Sequence, residues 1–277
     1  MISIVFGTHN RLGKLKQAME SIHKAAQNIK GYEIIIIDGG STDGTLEYLN
    51  TQKHTKVINE GGLHGVTRAY NRGFRLATQP YLTWFSDDFI YDEKALEVLA
   101  IRLAEVDSKT LLSLSIDVKD GKGFKNYAPN TPIGAGHTKL FQSVDYWSED
   151  FITYASDNDF SQKIHMSGGK VIAEPSAKLT HNIDLKDDLH NENLSHNPCS
   201  ARYRELYKGG IKGFNKTYPD VWINARNADD LYAKIQNVRS NIGWCNFYTA
   251  NLFNHEALFS SMNIRVGSRD KNYAKEV

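Results

Sequence analysis

The feature that most constrains this 277-residue chain is an alternation. Four short apolar runs are separated by stretches with helical spacing. Ile2 to Phe6 is the first run, and the stretch Leu12 to Ile29 after it repeats Leu12, Leu15, Met19, Ile22, Ala25 and Ala26 on one face. Tyr32 to Ile37 is the second, almost wholly apolar and hence central. Ser41 or Asp43 can start the helix after it, which carries Leu46 and Leu49. Lys56 to Ile58 is the third run, a helix of about Val66 to Ala77 follows, and Tyr81 to Phe85 is the fourth. Three strand–helix units before a fourth strand predict right-handed crossovers and a mostly parallel sheet, an α/β fold.

The chemistry lies where these strands end. Open α/β sheets bind ligands outside the carboxyl ends of their strands. The first strand runs into Gly7-Thr8-His9-Asn10, the second into Asp38-Gly39-Gly40-Ser41, the fourth into Ser86-Asp87-Asp88. Asp38 can accept from a ribose hydroxyl or a base N–H, or it is turn chemistry. His9 can stack on a base or hydrogen-bond to it. Asp87 and Asp88 are hard oxygen ligands for Mg²⁺ or Mn²⁺, or else the acidic start of the helix Asp92 to Leu103. Neither the dinucleotide glycine fingerprint nor a phosphate loop with Gly-Lys-Ser/Thr occurs. The shape is nucleotide-binding without a kinase, ATPase or nicotinamide signature.

Composition removes other classes. The formal net charge is +1 with no basic block, which argues against a nucleic-acid partner. There is no apolar run of about 18 residues, so no membrane span is expected. The start, Met1 to Phe6 followed by Thr8-His9-Asn10-Arg11, does not read as a signal peptide. Cys199 and Cys245 match no zinc spacing and build no disulfide scaffold. A cytoplasmic protein is expected, with peripheral contact at the inner face of the membrane left open.

Three stretches together resemble family 2 glycosyltransferases with the GT-A fold. Ser3-Ile-Val-Phe-Gly-Thr-His-Asn-Arg11 is similar to their opening, and Glu33-Ile-Ile-Ile-Ile-Asp38-Gly-Gly-Ser41-Thr-Asp43-Gly-Thr45 to their second-strand motif. Ala69-Tyr70-Asn71-Arg72-Gly73, with Ala77 and Tyr81-Leu82, is similar to the stretch before their metal motif. The likeness covers roughly residues 1 to 180. It implies a GT-A domain over 1–181, nucleotide-binding over 1–100 and acceptor-binding and catalytic over 101–181. Thr8, His9 and Asp38 would hold the nucleoside of a nucleotide-sugar, with Asn10 and Arg11 beside them. Arg68 and Asn71 would lie near the diphosphate or sugar. Ser86-Asp87-Asp88 would be the Asp-x-Asp motif, with Ser86 at the first acid and Asp88 as the metal ligand. Phe89 stands where the family often has another acid, and Glu60 to Gly65 is longer than the usual linker.

In the second half, Leu111 to Val118 reads as a strand and Lys119 to Pro132 as a loop. The glycine-flanked His137 fits a backbone passing close to a substrate, or is a structural histidine. Phe141 to Phe151 resembles the stretch before the family's catalytic carboxylate, which places Asp157 as general base, with Ser156 where the family has Glu. Asp157 or Asp159 can instead cap a helix Phe160 to Met166. Val171 to Ala173 reads as a short edge strand, and Lys178 to His181 as another. His181 is placed as a second metal ligand by likeness to GT-A enzymes that use a downstream histidine, with His190 and His196 as nearby alternatives, or it is a loop histidine. Residues 182–277 read as a polar flap or linker, then a helical, aromatic-rich extension. That extension packs on the core, holds an acceptor against Trp222 or Trp244, or forms a homo-oligomer interface.

The leading expectation is an inverting, Mn²⁺- or Mg²⁺-dependent transferase. It would move a sugar from a nucleoside diphosphate donor, most simply a UDP-sugar, to a hydroxyl on a glycan, glycolipid or related acceptor. Two other readings use the same residues. A nucleotidyltransferase of this fold needs a basic triphosphate clamp, for which only Arg11 and Lys14 stand near the first loop. A non-catalytic nucleotide-sugar or carbohydrate-binding module would carry Ser86 and Ser156 as marks of lost chemistry.

Overall fold

The computed structural model describes residues 1–117, 123–148 and 156–182. The expected flap, the helical extension with Trp222 and Trp244, and both cysteines lie outside the described residues. The first strands form where the apolar runs predict them: β1 (Ile2–Thr8), β2 (Tyr32–Asp38), β3 (Thr55–Asn59) and β4 (Tyr81–Trp84). Between them run α1 (Leu12–Ala25), α2 (Thr45–Leu49) and α3 (Val66–Leu76). Then come β5 (Phe89–Tyr91), α4 (Ala95–Glu105), β6 (Thr110–Asp117), β7 (Phe124–Lys125), β8 (Gly134–His137), α5 (Thr138–Ser143), α6 (Ser156–Met166) and β9 (Lys170–His181).

One mixed sheet joins the strands in the order β3-β2-β1-β4-β8-β6-β9-β5, with β7 paired to β6. The four predicted strands form its parallel half. The chain winds β1, β2, β3 in one direction and then returns to set β4 on the other side of β1. Such a reversal opens a crevice at the carboxyl ends of the two strands beside it, here β1 and β4.

The second half adds antiparallel pairs. β8 runs antiparallel to both β4 and β6, and β6 is parallel to β9. Hence β9 runs with β4 and ends at the same sheet edge. Lys170 to His181 is one strand rather than two. Its break at Pro175 is absorbed as a register shift between Leu114 and Ser115 of β6. Residues 171–173 pair with β6 only, and β5 adds to Leu179–His181.

The core explains two glycine positions. A Cβ on Gly73 of α3 would lie 2.3 Å from Val5 Cγ1, so α3 rests directly on β1. A Cβ on Gly134 would meet the Trp84 ring at 2.7 Å. Gly134 therefore leaves room for a buried tryptophan, and Gly136 rests against Leu111 and Leu140. Gly73→Ala tests this packing. Helix propensity alone would make it stabilising by about 1 kcal/mol. Overpacking is expected to win and lower stability by about 1–3 kcal/mol, read by thermal or urea denaturation.

Candidate active site

The β1–β4 crevice is tied across by side chains. β1 and β4 are hydrogen-bonded neighbours, so the residues leaving them face each other. Thr8 Oγ1 donates to Asp87 Oδ2 at 2.8 Å. Arg11 Nη1 donates to Asp87 Oδ1 at 2.8 Å and stands 3.6 Å from Asp88 Oδ2. Asp87 is 3% exposed and Asp88 12%. Burial pushes the Asp87 carboxyl up, while the Arg11 guanidinium pulls the other way. Thr8, Arg11 and Asp87 thus form the floor of the crevice, and Asp88 is the acid that opens on it.

Ser86 and His181 set Asp88. Ser86 Oγ donates to Asp88 Oδ1 at 2.6 Å, so the residue in place of the first acid orients the last one. His181 comes from 93 positions further along, and the β5–β9 ladder is what delivers it. Phe89 pairs with His181, the two rings stack at 4.3 Å, and Asn182 N donates to Asp88 O at 2.7 Å. His181 Nε2 then stands 3.5 Å from Asp88 Oδ2. Burial alone would raise the Asp88 carboxyl. The hydrogen bonds from His181 and Ser86 and the Arg11 charge outweigh it and hold Asp88 well below the usual carboxylate range. Asp88 stays ionised, as a ligand must.

A carboxylate and an imidazole converging on one point fit a divalent cation that shares its remaining positions with water and a diphosphate. Among the described residues, no group of three or more His, Cys, Asp or Glu side chains could hold a metal without such help.

The loop after β2 is organised around the Asp38 carboxylate. Asp38 is fully buried and turned inward on its own loop. It accepts from Gly40 N at 3.0 Å, Ser41 N at 2.9 Å and Ser41 Oγ at 2.5 Å. Asp-Gly-Gly acts here as turn chemistry, with the Asp38 carboxylate accepting from its own loop at the carboxyl end of β2. Asn10, at φ +50°, binds this loop to β1. Its N–H donates to Ser41 Oγ and its Oδ1 accepts from Thr42 N. His9 lies over Gly39, with Nε2 3.1 Å from Asn10 Nδ2 and Nδ1 buried without a partner.

Two further expected contacts do not join this group. Asn71 turns its amide to the backbone of Trp147, donating to its O at 2.8 Å and accepting from its N at 2.9 Å. His137 lies at the opposite sheet edge. It pairs with Tyr81, the first residue of β4, and its Nε2 is 3.3 Å from Val106 O. Arg68 is half-buried in the first turn of α3.

Asp157 stands at the start of a helix that packs on β9. α6 begins at Ser156, four residues earlier than expected, with Asp157 and Asp159 in its first turn. Residues 167–169 turn the chain straight into β9, so α6 runs back along β9 with its first turn on the side of the strand's carboxyl end. Burial pushes the Asp157 carboxyl up to about 6, against the hydrogen bond from Asn158 N at 2.9 Å. Asp159 is fully buried and accepts from Ser148 Oγ at 2.5 Å. The two acids divide the roles, Asp159 fastening the preceding loop and Asp157 left raised. The sequence reading passed over Tyr70, Trp147 and Lys163, which frame this arrangement from behind. Tyr70 and Trp147 sat in stretches that resemble the family, and Lys163 in none.

Comparison with known proteins supplies the family. The model of glycosyl transferase family 2 matches residues 3–171. A PGL/p-HBAD biosynthesis glycosyltransferase of Mycobacterium tuberculosis is 32% identical over 117 residues, which is 40% of this chain and 45% of the relative. Glycosyltransferase GlyG of Streptococcus pneumoniae is 28% identical over 127 residues, 44% of this chain and 42% of the relative. The matched regions thus span less than half the length of these curated relatives. Two solved structures share the fold. S. aureus TarS 1-349 in complex with UDP has a TM-score of 0.59 at 16% identity, covering 79% of this chain and 72% of that one. The mannosyltransferase PcManGT of Pyrobaculum calidifontis, in complex with GDP-Man and Mn²⁺, has 0.60 at 14% identity, covering 95% and 83%. With most of its length matched by the family model, the chain belongs to glycosyl transferase family 2 and has a GT-A-type fold.

Proposed function

We propose that the protein transfers a sugar from a nucleoside diphosphate donor to an acceptor hydroxyl with inversion at the anomeric carbon. The observation that carries this reading is the approach of His181 Nε2 to within 3.5 Å of Asp88 Oδ2 at the carboxyl ends of β1 and β4; the position of Asp157 in the first turn of α6 supports it as the base. A divalent cation, when bound, would neutralise charge on the departing diphosphate. Asp88 and His181 would hold it, with Ser86 and Arg11 fixing Asp88. Asp157 takes the proton of the acceptor hydroxyl as its oxygen bonds to the anomeric carbon and the bond from that carbon to the diphosphate breaks. A single displacement inverts the centre. His9, Arg68 and the Asn10–Ser41 loop are the residues available to the nucleoside and diphosphate.

UDP-sugars are the first donors to test, on the family resemblance. Relatives of this fold hold UDP in one structure and GDP-Man with Mn²⁺ in another, so GDP-sugars belong in the same experiment. Glycans and glycolipids are the acceptors, the latter met at a membrane surface; no described helix is long and apolar enough to cross one. The test is release of nucleoside diphosphate from UDP- and GDP-sugars with a glycan panel, with Mn²⁺ or with EDTA, and the product anomer read by NMR. Mn²⁺-stimulated transfer with inversion is expected. Retention, or release equal in EDTA, would overturn the mechanism.

A further inference from the structure

A buried lysine is used in an unusual way behind the site. Lys163 of α6 is 3% exposed, and its ammonium donates to Tyr146 O at 2.6 Å and Asp145 O at 3.2 Å. Both of those residues have φ of +52°. Left-handed backbone at non-glycine residues costs about 1–2 kcal/mol each. A cation gripping the two carbonyls is what such a turn needs to persist.

The next residue, Trp147, is gripped as well. The Asn71 amide holds both its N–H and its carbonyl, and the ring stacks on Tyr70 with centroids 5.0 Å apart and planes 23° apart. Trp147 is 5% exposed, yet its Nε1 has no partner. An orphaned buried N–H costs about 1–3 kcal/mol. The ring is therefore set by its clamp and its neighbours and not by its own polar atom. Tyr70 carries the contact onward. Its hydroxyl donates to the carbonyl of Phe85, the residue just before Ser86-Asp87-Asp88. The charges of Asp87 and Asp88 both act on that phenol.

These contacts form one continuous path through space: α6, Lys163, the 145–147 turn, Tyr70, Phe85, the acidic loop. We infer that Lys163 and Tyr70 are positioning residues that hold the helix carrying Asp157 in register with the loop carrying Asp88. The inference rests on the proposed reading of Asp157 as base and Asp88 as metal ligand. Its structural content, mechanical coupling of α6 to residues 85–88, stands apart from that reading. Loss of register by about 1 Å between groups that act together can lower turnover about 100-fold.

Lys163→Met keeps the aliphatic stem and removes the ammonium, Lys163→Arg restores a cation, and Tyr70→Phe removes only the hydroxyl. Hydrogen–deuterium exchange comes first, because it needs no substrate. Lys163→Met is expected to speed amide exchange at residues 85–88 by about threefold or more. Tyr70→Phe is expected to do the same in the first turn of α6, and Lys163→Arg to return to wild type. Faster exchange confined to each variant's own element would overturn the inference, and so would unfolding of Lys163→Met with unchanged α6 exchange in Tyr70→Phe.

The second readout is Mn²⁺-dependent hydrolysis of UDP-glucose or GDP-mannose. Lys163→Met should lower kcat about 10- to 100-fold with donor KM within about twofold. The double variant should lose no more than the worse single one, because both break one path. Independent, multiplying losses would overturn it. If Asp157→Asn keeps full turnover while the exchange coupling holds, the base assignment fails and the coupling survives.

Discussion

Asp157→Asn is expected to lower kcat by about two to four orders of magnitude while leaving donor binding intact. Asn has the shape of Asp and can accept the Asn158 N–H, but it cannot take a proton. Burial pushes the Asp157 carboxyl up to about 6, which supplies a second signature. Wild-type kcat should be level above pH 6 and fall about tenfold per pH unit below it, as the base becomes protonated. Stability should move the other way. Between about pH 4 and 6 the folded protein keeps a proton that the unfolded chain has released. Stability contributed by this group therefore declines as pH rises through that window. Asp157→Asn should flatten both profiles and raise stability at neutral pH. Full turnover in Asp157→Asn, measured under single-turnover conditions, would remove Asp157 from the mechanism.

The adjacent acids should respond in opposite ways, and this is the second large effect. Asp88 opens on the crevice, and Asp87 lies beneath it. Asp88→Ala leaves the Arg11–Asp87 pair and the Thr8 hydrogen bond in place, so the fold should hold. What goes is the carboxylate that His181 and Ser86 orient, and with it the Mn²⁺ stimulation of turnover, a loss of about 10²–10³-fold. Asp87→Ala instead leaves the Arg11 guanidinium without its buried partner. Breaking such a pair costs about 3–5 kcal/mol, so this variant should melt early. The check is a paired measurement of turnover and of denaturation midpoint on both variants. Equal stability losses at 87 and 88 would contradict the division of roles. His181→Ala should weaken Mn²⁺ stimulation and lower the midpoint less than Asp87→Ala does, because the imidazole side chain is 20% exposed where Asp87 is 3%.

Much of this was legible in the sequence, for physical reasons. Apolar runs ending in polar residues told where strands stop, and topology puts every such stop of a parallel set at one edge. That alone brought Thr8, Asp38 and Asp88 to the same end of the sheet. What the runs do not encode is which way a short polar side chain turns. Asp38 and Asp88 look alike as strand-end acids. One is closed by two backbone N–H groups and a serine inside its own loop, and the other faces out because Thr8 and Arg11 take up Asp87. β8 was not read as a strand, because Gly-Ala-Gly has little strand propensity. It is a strand because it pairs on both sides, with β4 and with β6, and Gly134 leaves room there for the Trp84 ring. Asn71 sits in a motif that pointed to the donor, but motif position carries no information on the Trp147 backbone, 76 residues away. His181 was placed by resemblance alone, and the short β5–β9 ladder that sets it beside Asp88 has no signature in the sequence.

The most direct measurement is the thermal shift produced by UDP and by GDP, each with and without Mn²⁺, on the wild-type protein and on Asp88→Ala. A ligand that binds the folded state at 100 times its Kd stabilises it by about 2.7 kcal/mol, a shift of several degrees. The account predicts a shift for one of the two nucleotides that needs both Mn²⁺ and Asp88. An equal shift in EDTA, or one that survives in Asp88→Ala, would contradict a metal-assisted nucleotide-sugar site in the β1–β4 crevice.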